Sequence, residues 1–169
     1  MVPKSEIIAT DYQKDYISHI KEEDFNEALK KNTKQLIKLL TKVSAKKANH
    51  SYEEGKWTIK QVLQHIIDSD RVFAYRALSF SRGDSAPLPG FDQAAWSLHD
   101  GAASRDWKDL IEEFKANRKS VAWLLSSLND EQLRATGQAS GNTINVIGLA
   151  FLIPGHAAHH IKILKEKYL

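Results

Sequence analysis

Residues 143–167 read TINVIGLAFLIPGHAAHHIKILKEK. Ile144, Val146, Ile147, Leu149, Phe151, Leu152 and Ile153 occupy all sides of a helix over the first turns. A helix that is apolar all round belongs inside other structure. This segment is therefore expected to be the buried helix of a helical domain, from about Thr143 to Lys167. Pro154 removes one backbone hydrogen bond and crowds the carbonyl four residues back, so a kink is expected there. Further along, His156 and His160 lie four residues apart, so their rings leave one face a turn apart. That spacing lets two imidazoles reach one ion, and Ala157 and Ala158 leave room beside them. His159 is rotated by about 100° from His160 and about 60° from His156, and is expected to point elsewhere.

Three more long helices are expected to surround this one. Residues 57–82, WTIKQVLQHIIDSDRVFAYRALSFSR, open with Thr58 as N-cap and Gln61 three residues on, a capping-box pattern. Val62, Leu63, Ile66, Ile67, Phe73, Ala77 and Leu78 make the apolar stripe, and His65 sits at its flank. Upstream, a helix from about Glu22 to Val43 carries Phe25, Leu29, Leu36, Leu39, Leu40 and Val43 on one face. A short lead-in helix covers residues 11–20, and residues 44–55 form a polar connection. Downstream, a third long helix is expected to start at a Ser104 cap with Asp106 in its first turn, and to run to Leu128. Asn129-Asp130 breaks it and Glu131 to Leu133 adds a turn. Residues 83–103 contain Pro87, Pro89, Gly90 and Gly101, with a short helical turn at Gln93 to Ser97. So long a connection suits a crossover between parallel neighbours. No period-two alternation or Asn-Gly turn announces strands, and Gly137 to Asn142 reads as a loop.

Composition narrows the chemistry. There are no cysteines, which excludes disulfides and thiolate metal sites and fits a reducing compartment, the cytoplasm. Lys and Arg number 24 against 21 Asp and Glu, and the cations are spread out, so neither nucleic acid nor membrane surface is an expected partner. No apolar run approaches the roughly 20 residues of a membrane span, and Met1 to Thr10 lacks the apolar core of a signal peptide. The 169 residues suit one domain spanning 1–169.

In a helical bundle, side chains of facing helices meet in the core, where metal sites are built. His65, His156 and His160 are the candidate ligands: three neutral imidazoles with open positions form a catalytic type of site. His19, His50 and His99 fall near element ends or loops and are read as surface residues. The His-Glu-x-x-His protease motif needs a glutamate after the first histidine; Ala157 stands there, which argues against a metalloprotease. Asp68 and Asp70 are candidates for a general base or for steadying a ligand, and Asp92 for shaping the rim. Trp57, Phe91 and Trp96 are read as packing residues.

The stretches GKWTIKQVLQHIIDSDRVFAYRALSFSRGD, PLPGFDQ and SGNTINVIGLAFLIPGHAAHHIKILKEKYL resemble the DinB-like superfamily, also called YfiT-like metal-dependent hydrolases. The resemblance covers roughly residues 11–169. It implies an all-α four-helix bundle, up-down-down-up, with a long crossover between helices two and three. It also implies one divalent transition metal (zinc, nickel, iron or manganese) on His65, His156 and His160. Asp70 stands where many relatives carry glutamate, and Pro154 where a small helix former is usual. Members act as hydrolases or as thiol S-transferases that use bacillithiol, mycothiol or glutathione, and many are homodimers. A small-molecule substrate is thus implied. Two other readings of the residues stay open: a metal-containing module that binds a ligand or partner without turnover, and a bundle whose histidines are structural.

Overall fold

Four long helices carry the core: α2 (Phe25–Leu40), α4 (Ile59–Ser81), α6 (Trp107–Ser126) and α8 (Val146–Ile163). The computed structural model describes residues 2–169. In chain order, α1 (Asp11–Ser18) precedes α2, and a single turn, α3 (Ala45–Ala48), leads to α4. The crossover holds α5 (Gln93–Ser97), and α7 (Asp130–Arg134) follows α6. A hairpin of β1 (Thr136–Ala139) and β2 (Asn142–Asn145) then delivers the chain to α8, which continues as π-helical turns over Leu164–Tyr168.

Cross-helix contacts establish the directions. Lys60 Nζ donates to Arg105 O at 2.6 Å and Arg71 pairs with Glu113 at 2.6 Å, so α4 and α6 run parallel. His65 meets His156, and Tyr168 Oη donates to Trp57 O at 2.6 Å, so α4 and α8 run antiparallel. Trp107 Nε1 donates to Val43 O at 2.9 Å, and Arg118 Nη1 to Asn32 Oδ1 at 3.2 Å, so α2 opposes α6. The order is up-down-down-up, and the crossover joins the two parallel neighbours.

The caps follow elementary chemistry. Thr58 and Gln61 form the expected capping box at the start of α4. Asp106, not Ser104, caps α6: its carboxylate accepts from Lys108 N and Asp109 N, while Ser104 closes a short 3-10 turn. Asn145 caps α8 by accepting from Gly148 N, which moves the start of that helix past Thr143.

The hairpin corrects the expectation that strands are absent. Ser140 and Gly141 have φ of 54° and 75°, the double left-handed turn of a two-residue hairpin. The strands have four residues each and are mostly polar, so they show no alternation. Leu88 bridges Ala139 and ties the Pro-Leu-Pro-Gly loop to the hairpin.

Helix α8 lies in the middle, with every residue from Val146 to Ala157 buried. The segment Val146–Tyr168 is in fact long and apolar enough by composition to cross a membrane, against the expectation of no such run. Within the bundle, 78% of its most apolar window is buried, so its hydrophobicity serves the core. The helix is assigned without a break across Pro154. Next to it, Gly155 lets α1 approach closely: a Cβ there would stand 2.6 Å from Tyr16 O. Backbone cannot swing aside as a side-chain tip can. Gly155→Ala is therefore expected to lower stability by about 1–2 kcal/mol, overpacking outweighing the gain in helix propensity; thermal unfolding followed by circular dichroism checks this.

Asp70 is wholly buried and faces away from the histidines. Arg118 Nε donates to its Oδ2 at 2.6 Å, and Arg118, also buried, reaches Asn32. Asp70 therefore joins α4 to α6 and is not at the candidate site. Removing one partner of such a pair strands a buried charge. Asp70→Ala is expected to cost about 3–5 kcal/mol, whereas Asp70→Leu combined with Arg118→Met costs much less. Urea unfolding of the two variants provides the comparison.

Candidate metal centre

Helix α4 brings His65 to the face that meets α8. Helix α8 brings His156, two residues past Pro154, and His160, about one turn further on. His65 Nε2 lies 3.0 Å from His156 Nε2, and His160 Nε2 lies 3.0 Å from the same atom. All three nitrogens fall within 4.8 Å of one another, and all three residues are buried. The structure thus brings together the three histidines read as ligands, with Pro154 in the helix.

Burial sets their charge. Desolvation lowers the pKa of His65 to about 4. Desolvation, then the neighbouring His65 and His159, lower that of His160 to about 3. His156 is held well below the ordinary value by desolvation first and then by the two other rings. At neutral pH the rings are uncharged, and their lone pairs are available.

The donor set fits a divalent ion. Tetrahedral ligands about 2.1 Å from an ion are spaced by ~3.4 Å. The observed 3.0 Å separations need only a small outward rotation of the rings to reach that spacing. His156 is poorly satisfied by the protein: its Nε2 faces two other ring nitrogens, and its Nδ1 is buried with no partner among the described residues. Ser69 Oγ, one turn past His65, is likewise buried and without a partner among the described residues.

Aromatic packing orients the rings. Trp57 lies against His65 with centroids 4.9 Å apart. Tyr16 and Phe73 stand edge-on to His156 at 5.5 and 5.9 Å. Trp57 is thus a packing residue whose partner is a candidate ligand. Tyr16 also packs on His159, and His159 lies 5.9 Å from His19. His159 is half-buried and directed to α1; His50 and His99 are exposed.

A cleft of about 560 Å³ opens onto His156, with Tyr16, Ser69, Phe73, Arg76 and Asp92 among its walls. Asp68, Phe91, Trp96 and Asp100 line a narrow crevice at His65. Asp68 is half-buried. Burial raises its pKa, opposed by Gln64 Nε2, which donates to it at 2.9 Å, and by Arg71. Asp92 caps α5 through Ala94 N and Ala95 N at the cleft rim. The aspartates thus divide: Asp68 and Asp92 lie at the clefts, and Asp70 does not.

Sequence reading missed Tyr16, Ser69, Phe73 and Arg76. Three of them follow His65 along one stripe of α4, at four, eight and eleven residues, which is the signal that could have found them. Tyr16 comes from α1, and no spacing within one helix points to it.

A model of the DinB superfamily matches residues 28–164. A protein of Oceanobacillus iheyensis named "Putative metal-dependent hydrolase OB0413" is 27% identical over 149 residues, covering 85% of this chain and 84% of its own. Among solved structures, YfiT from Bacillus subtilis is described as a probable metal-dependent hydrolase with an unusual four-helix bundle topology. It matches with a TM-score of 0.70 at 20% identity, over 94% of this chain and 87% of its own. At that identity the likeness speaks for the fold.

Proposed function

Since the chain belongs to the DinB superfamily, we propose that it is a divalent-metal-dependent enzyme acting on a small molecule, by hydrolysis or by thiol S-transfer. One observation carries this reading: three buried, uncharged imidazoles turn their Nε2 atoms to a common point beside a 560 Å³ cleft. The names borne by the relatives support the hydrolytic form.

His65, His156 and His160 would hold the ion, and zinc, nickel, iron and manganese all accept imidazole donors. When bound, a divalent ion supplies Lewis acidity that makes water or a thiol nucleophilic near neutral pH. The chain's own residues do the rest. Trp57, Tyr16 and Phe73 fix the ring planes by edge and tilted contacts. Phe73 and Leu152 give the cleft apolar walls. Asp68, at the crevice beside His65, is the candidate to take a proton from an incoming nucleophile, and its raised pKa suits that task. The lack of cysteine fits a reducing cytoplasm as the site of action.

The S-transferase form draws on the same all-imidazole set. Neutral ligands leave the ion's charge uncompensated, which suits an anionic thiolate as a further ligand. The experiment is a turnover screen of activated esters, amides and electrophiles, with and without several low-molecular-weight thiols. Turnover is expected in wild-type protein and is abolished in His65→Ala and His160→Ala. Turnover that survives both changes would place the chemistry elsewhere.

A further inference from the structure

Three cations are buried among the described residues, and of the two that line clefts, Arg76 and Arg118, only Arg76 lacks a carboxylate partner. Arg118 is neutralised by Asp70. Lys60 places its ammonium on Arg105 O at 2.6 Å and Ala103 O at 3.4 Å. Arg76 is 4% exposed. Its Nη2 donates to Pro89 O and Ser140 Oγ, both at 2.9 Å. Those two acceptors are neutral, and among the described residues no carboxylate lies within ion-pair distance of it. Among the described residues, its hydrogen bonds to protein run from Nη2, which leaves Nε–H and Nη1 to meet a molecule in the cleft.

Arg76 lines the 560 Å³ cleft together with His156, and also a neighbouring cleft of about 390 Å³. The carboxylates on these two clefts are engaged elsewhere: Asp68 by Gln64 and Arg71, Asp92 by the first turn of α5. Burying a cation without a counter-ion costs free energy, and an incoming anion relieves that cost through charge-assisted hydrogen bonds. A residue that merely tied the loop to the hairpin would need two donors and no charge.

Resting on the reading of this cleft as the substrate site, we propose that Arg76 recognises an anionic group, a carboxylate or phosphate, on the small molecule processed there. Arg76 lies three residues past Phe73, ~4.5 Å of helix rise, and Phe73 rests on the His156 ring. The anionic group is therefore held at the far end of the cleft from the imidazoles, and the reacting bond lies towards them. A cleft of this volume takes one small molecule.

The test uses the full chain, freed of metal by a chelator that is then dialysed away, with succinate and inorganic phosphate as probes. Calorimetry is expected to show one-site binding of at least one probe, with Kd of order 1 mM. Arg76→Gln weakens it at least about tenfold, the loss of one charge-assisted contact. Lys167→Gln, which removes an exposed charge away from the cleft, leaves it unchanged. The probe that binds identifies the group. Should Arg76→Gln fail to fold, the Arg76 Nε–H resonance of wild-type protein, identified by its shift in Ser140→Ala, is expected to move with the probe. The proposal is overturned if neither probe binds up to about 50 mM, far above any useful Kd, if binding survives Arg76→Gln, or if that resonance does not move. Metal uptake by the same preparation is read separately. Anion binding by protein that takes up no metal would contradict the metal-dependent reading and keep this one.

Discussion

His160→Ala protein is expected to bind divalent metal more than about a hundredfold more weakly than wild type. Losing a group that only orients a ligand already costs about 10–100-fold, and here a ligand itself is lost. Two imidazoles would remain, His65 and His156. The metal-free fold should tolerate the change, because among the described residues the His160 ring makes no hydrogen bond except the crowded 3.0 Å contact with His156. The readout is therefore a comparison of two melting curves. At metal concentrations near 1,000 Kd, wild-type protein gains about 4 kcal/mol. His160→Ala is expected to gain almost nothing, while its metal-free curve stays near that of wild type. An equal metal-induced shift in both proteins would mean that the ion binds somewhere else.

Acid is expected to unfold the metal-free protein at a pH where most bundles are stable. The folded state keeps His65 uncharged down to about pH 4 and His160 down to about pH 3. The unfolded chain takes up these protons near pH 6.5. Between those limits the unfolded state binds more protons, so stability falls as pH falls. At pH 5 His65 and His160 cost about 2 kcal/mol each, a large share of the total stability of a domain, and the depressed pKa of His156 acts in the same direction. Asp70 acts in the opposite direction. Burial raises its pKa to about 6 against the pull of Arg118, so its protonation favours the folded state in that range, one group against three. A bound ion holds the rings deprotonated and moves the loss to lower pH. Urea unfolding between pH 7.5 and 5, with and without metal, measures both effects. A flat metal-free profile would mean that the rings are not buried in their neutral form.

The parts legible in the sequence were those written in a single helical period. The all-round apolarity of residues 146–153 announced the central helix. The four-residue spacing of His156 and His160 announced a shared face. The resemblance named the topology, which periodicity alone does not supply. What escaped depends on contacts between elements. Asp70 and Asp68 are two residues apart on one helix, and only the packing of α6 and α2 shows that Arg118, itself held by Asn32, claims the first. The hairpin escaped because its strands are short and mostly polar, and its direction comes from the backbone of Ser140 and Gly141. Pro154 raised the expectation of a kink that could have moved His156, yet the ring still meets His65.

The central claim is that His65, His156 and His160 hold one divalent ion. Elemental analysis of protein purified without an immobilised metal, before and after His156→Ala, tests it most directly. About one equivalent of a single transition metal is expected in wild type, as three imidazoles around one ion require, and almost none in the variant. Less than about a tenth of an equivalent in wild-type protein, unchanged by offering zinc, nickel, iron or manganese, would contradict it.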